Sequence, residues 1–392
     1  MNYSKIFYSV LLPCLFACQT PPYQLEKQSS NPQILFLDSA FEPSNENMIS
    51  IESEVDIFLL DDEMKAVVDN KLRNRHSYQH KARILLDHLF SVENLSLQYE
   101  GNANIVAREA FHSKTANCMS LTIMAYALAK EAGMHVQFQQ VNVPEYWQRD
   151  NSYSFLTGHV NLRITNKPNS ESVYTWGDNG IQIDFDPYIA KQRFSIKKIS
   201  KKTVVAMFYN NKGSDALIRK NYDLAYQYFK AAIKQDPNFS PAWGNLGILY
   251  RLNNHYQVAE KTYRYALTIN DKNLTVLNNL ALLMEIQGRV TESQPIRNYL
   301  QQLRQSNPYY HALLADEAFD AGDFITAEKL YKSAIDLYPQ GYEFYHGLAK
   351  AYYKQGKVNL SKRAMRKAIS YNYDKTIQRL YVAKLHFLND IE

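Results

Sequence analysis

A 34-residue period runs through the second half of this chain from residue 206, and it restricts the fold more than any other feature. A unit that short cannot bury an apolar face alone, so successive copies must stack into one core. The clearest copy reads PAWGNLGILYRLNNHYQVAEKTYRYALTINDKN, with Trp243, Leu246, Gly247 and Tyr250, then Ala259, Tyr263 and Ala266. In the other copies the Trp243 slot holds Tyr209, Leu277, His311 and Tyr345. The small residue recurs as Gly213, Gly247, Ala281, Ala315 and Ala349, and the turn carries Gly288, Gly322 and Gly356. Small residues let paired helices approach, aromatics fill the gap to the next pair, and glycine permits a tight turn. The third copy departs, with Ser293, Pro295 and Arg297 where alanine and aromatics are expected. Its second helix should therefore start late or bend.

The pattern resembles the tetratricopeptide repeat. Five units fit, 206–239, 240–273, 274–307, 308–341 and 342–375, within an all-α array over 203–392 that closes with a C-terminal helix. The resemblance implies a superhelix whose concave groove takes a protein or peptide partner.

The chain opens with a short polar start, the apolar run IFYSVLLPCLFA and then Cys18. That run is too short to span a bilayer and has the layout of a secretory signal over 1–17. LFAC, Leu15 to Cys18, resembles a bacterial lipobox, which implies cleavage before Cys18 and its acylation. Several acyl chains at about 0.8 kcal/mol per buried methylene would hold the protein on a membrane. Gln19 is not the Asp that favours inner-membrane retention in such lipoproteins, so the resemblance points to an outer-membrane address facing the periplasm. Residues 18–50, rich in Pro, Ser, Asn and Gln, read as a flexible tether. Of three cysteines, Cys14 would leave with the signal and Cys18 would carry lipid. Cys118 is then a lone thiol with no partner for an internal disulfide.

Between 51 and 202 the pattern is mixed. Helical spacing appears in DDEMKAVVDNKLR, QHKARILLDHLF and NIVAREAF, and then in the apolar run MSLTIMAYALAKEAG, which stops at Gly133. Strands follow in VQFQQVNV, HVNLRI and VYTW-GDNG-IQIDF, the last reading as a hairpin. Cys118 falls in the first turn of the apolar helix, with Thr115 or Asn117 as cap, where unpaired N–H groups favour thiolate. On HVNLRI, alternation sets His159, Asn161 and Arg163 opposite the core residues Val160, Leu162 and Ile164. On IQIDF it sets Gln182 and Asp184 opposite Ile181, Ile183 and Phe185. A Cys at a helix head, a His at a strand start and a later Asp supply a nucleophile, a proton carrier and a carboxylate to orient it.

This order and setting resemble the transglutaminase-like branch of the papain-type cysteine enzymes. The resemblance covers about residues 80–190 and is carried by ANCMSLTIMAYALAKEAGM, GHVNL and IDFDP. It implies an α+β domain over 51–202 with Cys118 as nucleophile, His159 as general base and acid, and Asp184 as orienting carboxylate. Asp186 competes for the third role, and one residue of register decides between them. Ala116 stands where relatives often carry Gly, a position that would be strained if it required positive φ. The function so implied is acyl chemistry on amide bonds, by peptide hydrolysis or amide transfer, with the repeats recruiting a protein. The alternative is a non-catalytic envelope scaffold that binds proteins through its array.

No spacing suggests a metal site, a phosphate loop or a nucleic-acid motif, so no cofactor or nucleic acid is expected. The net charge of +5 is mild. The basic clusters at Lys197, Lys198, Lys201 and Lys202, and from Lys350 to Lys367, read as solvated helix faces, with contact to anionic lipid or cell-wall polymer as the alternative. His112 and His135 read as structural.

Overall fold

The computed structural model describes residues 32–41, 50–75, 77–91, 95, 97–99, 103–143, 147–150, 153–156, 158–165, 180–185, 194–372 and 375–389. The expected signal segment, Cys18, Asp186 and most of the GDNG turn lie outside the described residues. Among the described residues, no helix is long and apolar enough to cross a membrane.

Two short helices, α1 (Glu54–Ile57) and α2 (Asp62–Val67), lead through a π turn (Val68–Arg73) to α3 (Tyr78–Phe90). The strand β1 (Gln98–Tyr99) precedes α4 (Ala107–Ser113) and pairs in parallel with β2 (Thr115–Ala116). Next comes α5 (Cys118–Glu131), buried along almost its whole length and ended at Gly133 with φ +74. A residue without Cβ enters that left-handed turn without strain. The strand β3 (His135–Val141) is followed by a hairpin of β4 (Trp147–Asp150) and β5 (Tyr153–Leu156). Then come β6 (His159–Thr165), β7 (Ile181–Ile183) and β8 (Ile196–Ile199). They form an antiparallel sheet in the order β7-β6-β3-β8. The apolar face of this sheet packs on α5, where Tyr126 stacks on Phe138 with ring centroids 4.2 Å apart. The opposite face of β6, expected to point away from the core, is closed as well: His159 and Asn161 are buried.

The rest is helix pairs. They are α6 (Lys201–Ile218) with α7 (Tyr222–Gln235), α8 (Ser240–Leu252) with α9 (Tyr256–Ile269), and α10 (Leu274–Ile286) with α11 (Val290–Arg304). Then α12 (Pro308–Asp320) pairs with α13 (Phe324–Leu337), α14 (Tyr342–Lys354) pairs with α15 (Val358–Tyr371), and α16 (Lys375–Asn389) closes the stack. The second helices begin at Tyr222, Tyr256, Val290, Phe324 and Val358, one period apart throughout. Left-handed residues occupy the same turn position in all five pairs: Lys220, Asn254, Gly288, Gly322 and Gly356.

Two expectations shift. The first pair begins at Lys201 and not 206, because Ser200 caps the helix by accepting from the Thr203 N–H. In the third pair α11 neither starts late nor breaks at Pro295, since its polar residues find partners. Arg297 donates to both Glu285 carboxylate oxygens at 2.7 Å and to Asn278, and Ser293 donates to Glu285 at 3.1 Å.

One apolar core extends from the sheet and α5 into the first three pairs. Asn104 Nδ2 donates to the Phe208 carbonyl at 3.1 Å, Tyr209 donates to the Glu52 carbonyl at 2.7 Å, and Lys201 pairs with Glu54 at 3.1 Å. The described residues are mostly helical, and the four-stranded sheet shares its core with the first helix pairs.

Part of the expected tether is not free. Residues 32–41 form two 3-10 turns, Pro32–Leu35 and Asp38–Ala40, laid on α7, α8 and α9. Leu35 and Phe41 are buried, Phe36 stacks on Trp243, and Tyr250 donates to the Leu35 carbonyl at 2.7 Å.

Candidate functional site

The turn before α5 is tied at several points. Asn117 is the cap, its side chain accepting from the Ser120 N–H at 2.9 Å, which leaves Cys118 as the first helical residue. The Ser120 hydroxyl donates to the Ala103 carbonyl and accepts from the Ile105 N–H, holding residues 103–105 against the helix head. Ala116 is buried in β2 and is not strained, because the left-handed residue of this turn is Lys114, with φ 57. Alanine at position 116 therefore meets no demand for positive φ.

The sheet brings the other two predicted residues to the same place. β6 and β7 are adjacent and antiparallel, with Leu162 opposite Ile183, so one residue on, Asn161 comes opposite Asp184. His159 is then the diagonal neighbour on the same face. His159 Nε2 donates to Asp184 Oδ1 at 2.7 Å, with the side chains 4% and 3% exposed. Cys118 lies near enough to His159 to raise its pKa. With Nε2 engaged by the carboxylate, Nδ1 is the ring nitrogen left for the thiol. Thr122, one turn into α5, donates to the Val160 carbonyl at 3.4 Å and fastens the helix beside the strand that carries His159.

The electrostatics follow from this contact set. Burial pushes the imidazole pKa down, but the hydrogen bond to Asp184, the nearness of Cys118 and the charge of Asp184 outweigh it and raise the group to about 10. The site therefore favours an imidazolium at neutral pH. Cys118 is half-buried, and it is the free cysteine among the described residues. A thiol close to an imidazole that is hydrogen-bonded to a carboxylate can form a thiolate–imidazolium pair and pass one proton.

Asn161 was not singled out from sequence, yet its Nδ2 donates to Asp184 Oδ2 at 2.9 Å. Its place on the same strand face as His159 was the one signal available. The two residues read as structural lie elsewhere: His112 pairs with Asp61 at 2.6 Å, and His135 opens β3. No group of three potential metal ligands occurs among the described residues. Of the basic clusters, Lys201 is anchored on Glu54 and Lys357 on Glu328.

Comparison with known proteins finds matches in the helical half. Residues 228–261 and 318–383 match family models for the tetratricopeptide repeat. Superkiller protein 3 of Schizosaccharomyces pombe is 25% identical over 194 residues, covering 46% of this chain. The match spans 14% of that protein's own length. Photosystem I assembly protein Ycf3 of Prochlorococcus marinus is 26% identical over 157 residues, covering 39% of this chain and 79% of that protein. Among solved structures, Pseudomonas aeruginosa pilF aligns at 18% identity with a TM-score of 0.29, over 49% of this chain and 87% of that one. YrrB, titled as a TPR protein with an unusual peptide-binding site, aligns at 15% identity with a TM-score of 0.26, over 46% of this chain and 92% of that one. The helix pairs from α6 onward are thus an array of tetratricopeptide repeats.

Proposed function

We propose that this chain is a membrane-anchored envelope lipoprotein whose first unit is transglutaminase-like and performs thiol acyl chemistry on amide bonds, while its repeats recruit a protein substrate. The observation that supports the chemistry is the series Asp184–His159–Cys118 at the head of α5. In the reaction the Cys118 sulfur attacks the amide carbonyl carbon and forms a carbon–sulfur bond. The carbon–nitrogen bond then breaks, and the His159 imidazolium gives its proton to the departing amine. Water or a second amine resolves the thioester, with His159 taking the incoming proton and Cys118 restored. Asp184 keeps the ring oriented and its charge balanced throughout.

The test is an electrophilic activity probe on the full-length protein and on Cys118→Ala. Labelling at Cys118 many times faster than in denatured protein, and lost in the variant, supports the reading. Labelling no faster than in denatured protein removes it. The anchor is tested separately: a fatty-acid analogue should label the protein, and Cys18→Ser should abolish the label and release the protein from the membrane pellet. Residues 19–31 would then span about 45 Å at full extension between the lipid and the docked segment.

A second reading, a non-catalytic scaffold, is favoured by where the comparisons fall. The family matches lie within the array, and Ycf3 is described as an assembly protein. It predicts pull-down of a protein partner that is indifferent to Cys118→Ala.

A further inference from the structure

Asn161 is fully buried in β6, two residues after His159. Its Nδ2 donates to Asp184 Oδ2 at 2.9 Å, while Asp184 Oδ1 accepts from His159 Nε2 at 2.7 Å. Both oxygens of one buried carboxylate are therefore held from the same strand. A carboxylate has no hydrogen to give, so the amide can meet it only through Nδ2, which sets the orientation of Asn161 by chemistry. The other end of the amide shows what this costs. Asn161 Oδ1 is buried with no hydrogen-bond partner, and so is Oε1 of Gln139, the residue opposite Asn161 on β3. A residue kept for packing at this place would be apolar, like Leu162 and Ile164 beside it. A buried amide with one end unsatisfied is worse for stability than such a residue. The amide serves the carboxylate.

From this geometry we propose that Asn161 is a positioning residue of the Cys118–His159–Asp184 set, pinning Asp184 Oδ2 so that Oδ1 stays aimed at His159. The inference rests on the catalytic reading above. Without the donor, Oδ2 loses the hydrogen bond that fixes it, and the carboxylate can turn so that Oδ1 no longer meets Nε2. His159 then loses the anion that keeps it charged, and a thiolate formed at Cys118 would lose its counter-ion.

The experiment uses full-length protein carrying Asn161→Leu, which removes the donor while keeping the branched shape and heavy-atom count, and Asn161→Ala, which removes it with less bulk. Asn161→Ser keeps a hydroxyl donor. Two quantities are read: the His159 ring titration, by NMR on labelled histidine, and the pH profile of Cys118 alkylation by iodoacetamide, in which sulfur displaces iodide. The Leu and Ala variants should lower the His159 titration by about one unit or more and slow alkylation at neutral pH about tenfold. Asn161→Ser should fall between them and the wild type, and it carries the same comparison if neither donor-less variant folds. A loss of thermal stability with both pH profiles unchanged would overturn the proposal and leave Asn161 a packing residue. If wild-type Cys118 alkylates no faster than in unfolded chain, the catalytic reading fails by itself. The ring titration then still decides whether Asn161 positions the His159–Asp184 pair.

Discussion

Tyr226 donates its hydroxyl to Asp38 at 2.8 Å, across 188 residues of chain. Lys230 binds the same carboxyl, and together these hydrogen bonds, Lys230 first, hold Asp38 below the usual carboxylate range. Phe41 stacks on Tyr226 with ring centroids 4.9 Å apart and planes 13° from parallel. A polar pair and an aromatic pair thus fasten residues 32–41 to the first two repeats.

If that segment is part of the folded core, shortening its anchor must be felt in the array. Phe41 is 3% exposed, so Phe41→Ala should cost about 3–5 kcal/mol, read as a lower urea midpoint with the slope unchanged. An unaltered midpoint would mean that the segment merely lies on the surface.

The array was legible because its rules are local. Small residue, aromatic and turn recur at one spacing, and each slot has the same packing task in every copy. The docked segment was not legible. Leu35, Phe36 and Phe41 stand among Pro, Ser and Asn with no period, and their partners Tyr226, Trp243 and Tyr250 lie far along the chain. At the candidate site the cap position of Asn117 and the order Cys118, His159, Asp184 could be read from the residues. The adjacency of β6 and β7 could not, because residues 166–179 intervene and only the sheet register joins Asn161 to Asp184.

The small position of each first helix makes a sharp test of packing. A Cβ built on Gly247 would meet the Tyr263 ring at 2.5 and 2.7 Å, so Gly247→Ala should destabilise by roughly 1–3 kcal/mol. Lys220 has the opposite problem: with φ 59 it holds a side chain where three of the other four pairs use glycine. Lys220→Gly should stabilise by about 1 kcal/mol, both effects being read by urea titration. An unchanged midpoint for Gly247→Ala would show that the helices can separate freely.

The charge on His159 makes stability depend on pH. Its folded value, about 10, lies above the unfolded value of 6.5. The stabilisation is therefore complete below about pH 6.5 and is lost as pH rises from there towards 10. The thermal midpoint of the wild type should fall over that window. Asp184→Asn removes the carboxylate and should flatten the fall, and Asp186→Asn should leave it in place. Parallel curves for wild type and Asp184→Asn would mean that the imidazole is not held charged by Asp184.

The stack of repeats is interrupted once. Elsewhere each second helix packs on the next first helix, but α11 and α12 barely touch, and α12 lies against β4 of the hairpin. The apolar core divides at the same point: one part ends at Leu300, and the other begins at Ala315 and runs to Leu388. At this break α11 carries Arg297 where most other copies have an aromatic, and Arg297 is held by Glu285 of α10, within its own pair. In a stack held by nearest-neighbour contacts, a missing interface uncouples the two sides. Calorimetry of the full chain should therefore resolve two transitions. Tyr331→Ala, in the second core, should lower one of them, and Trp243→Ala, in the first, should lower the other, each by about 3–5 kcal/mol. A single transition lowered equally by both variants would show that the repeats couple across the gap.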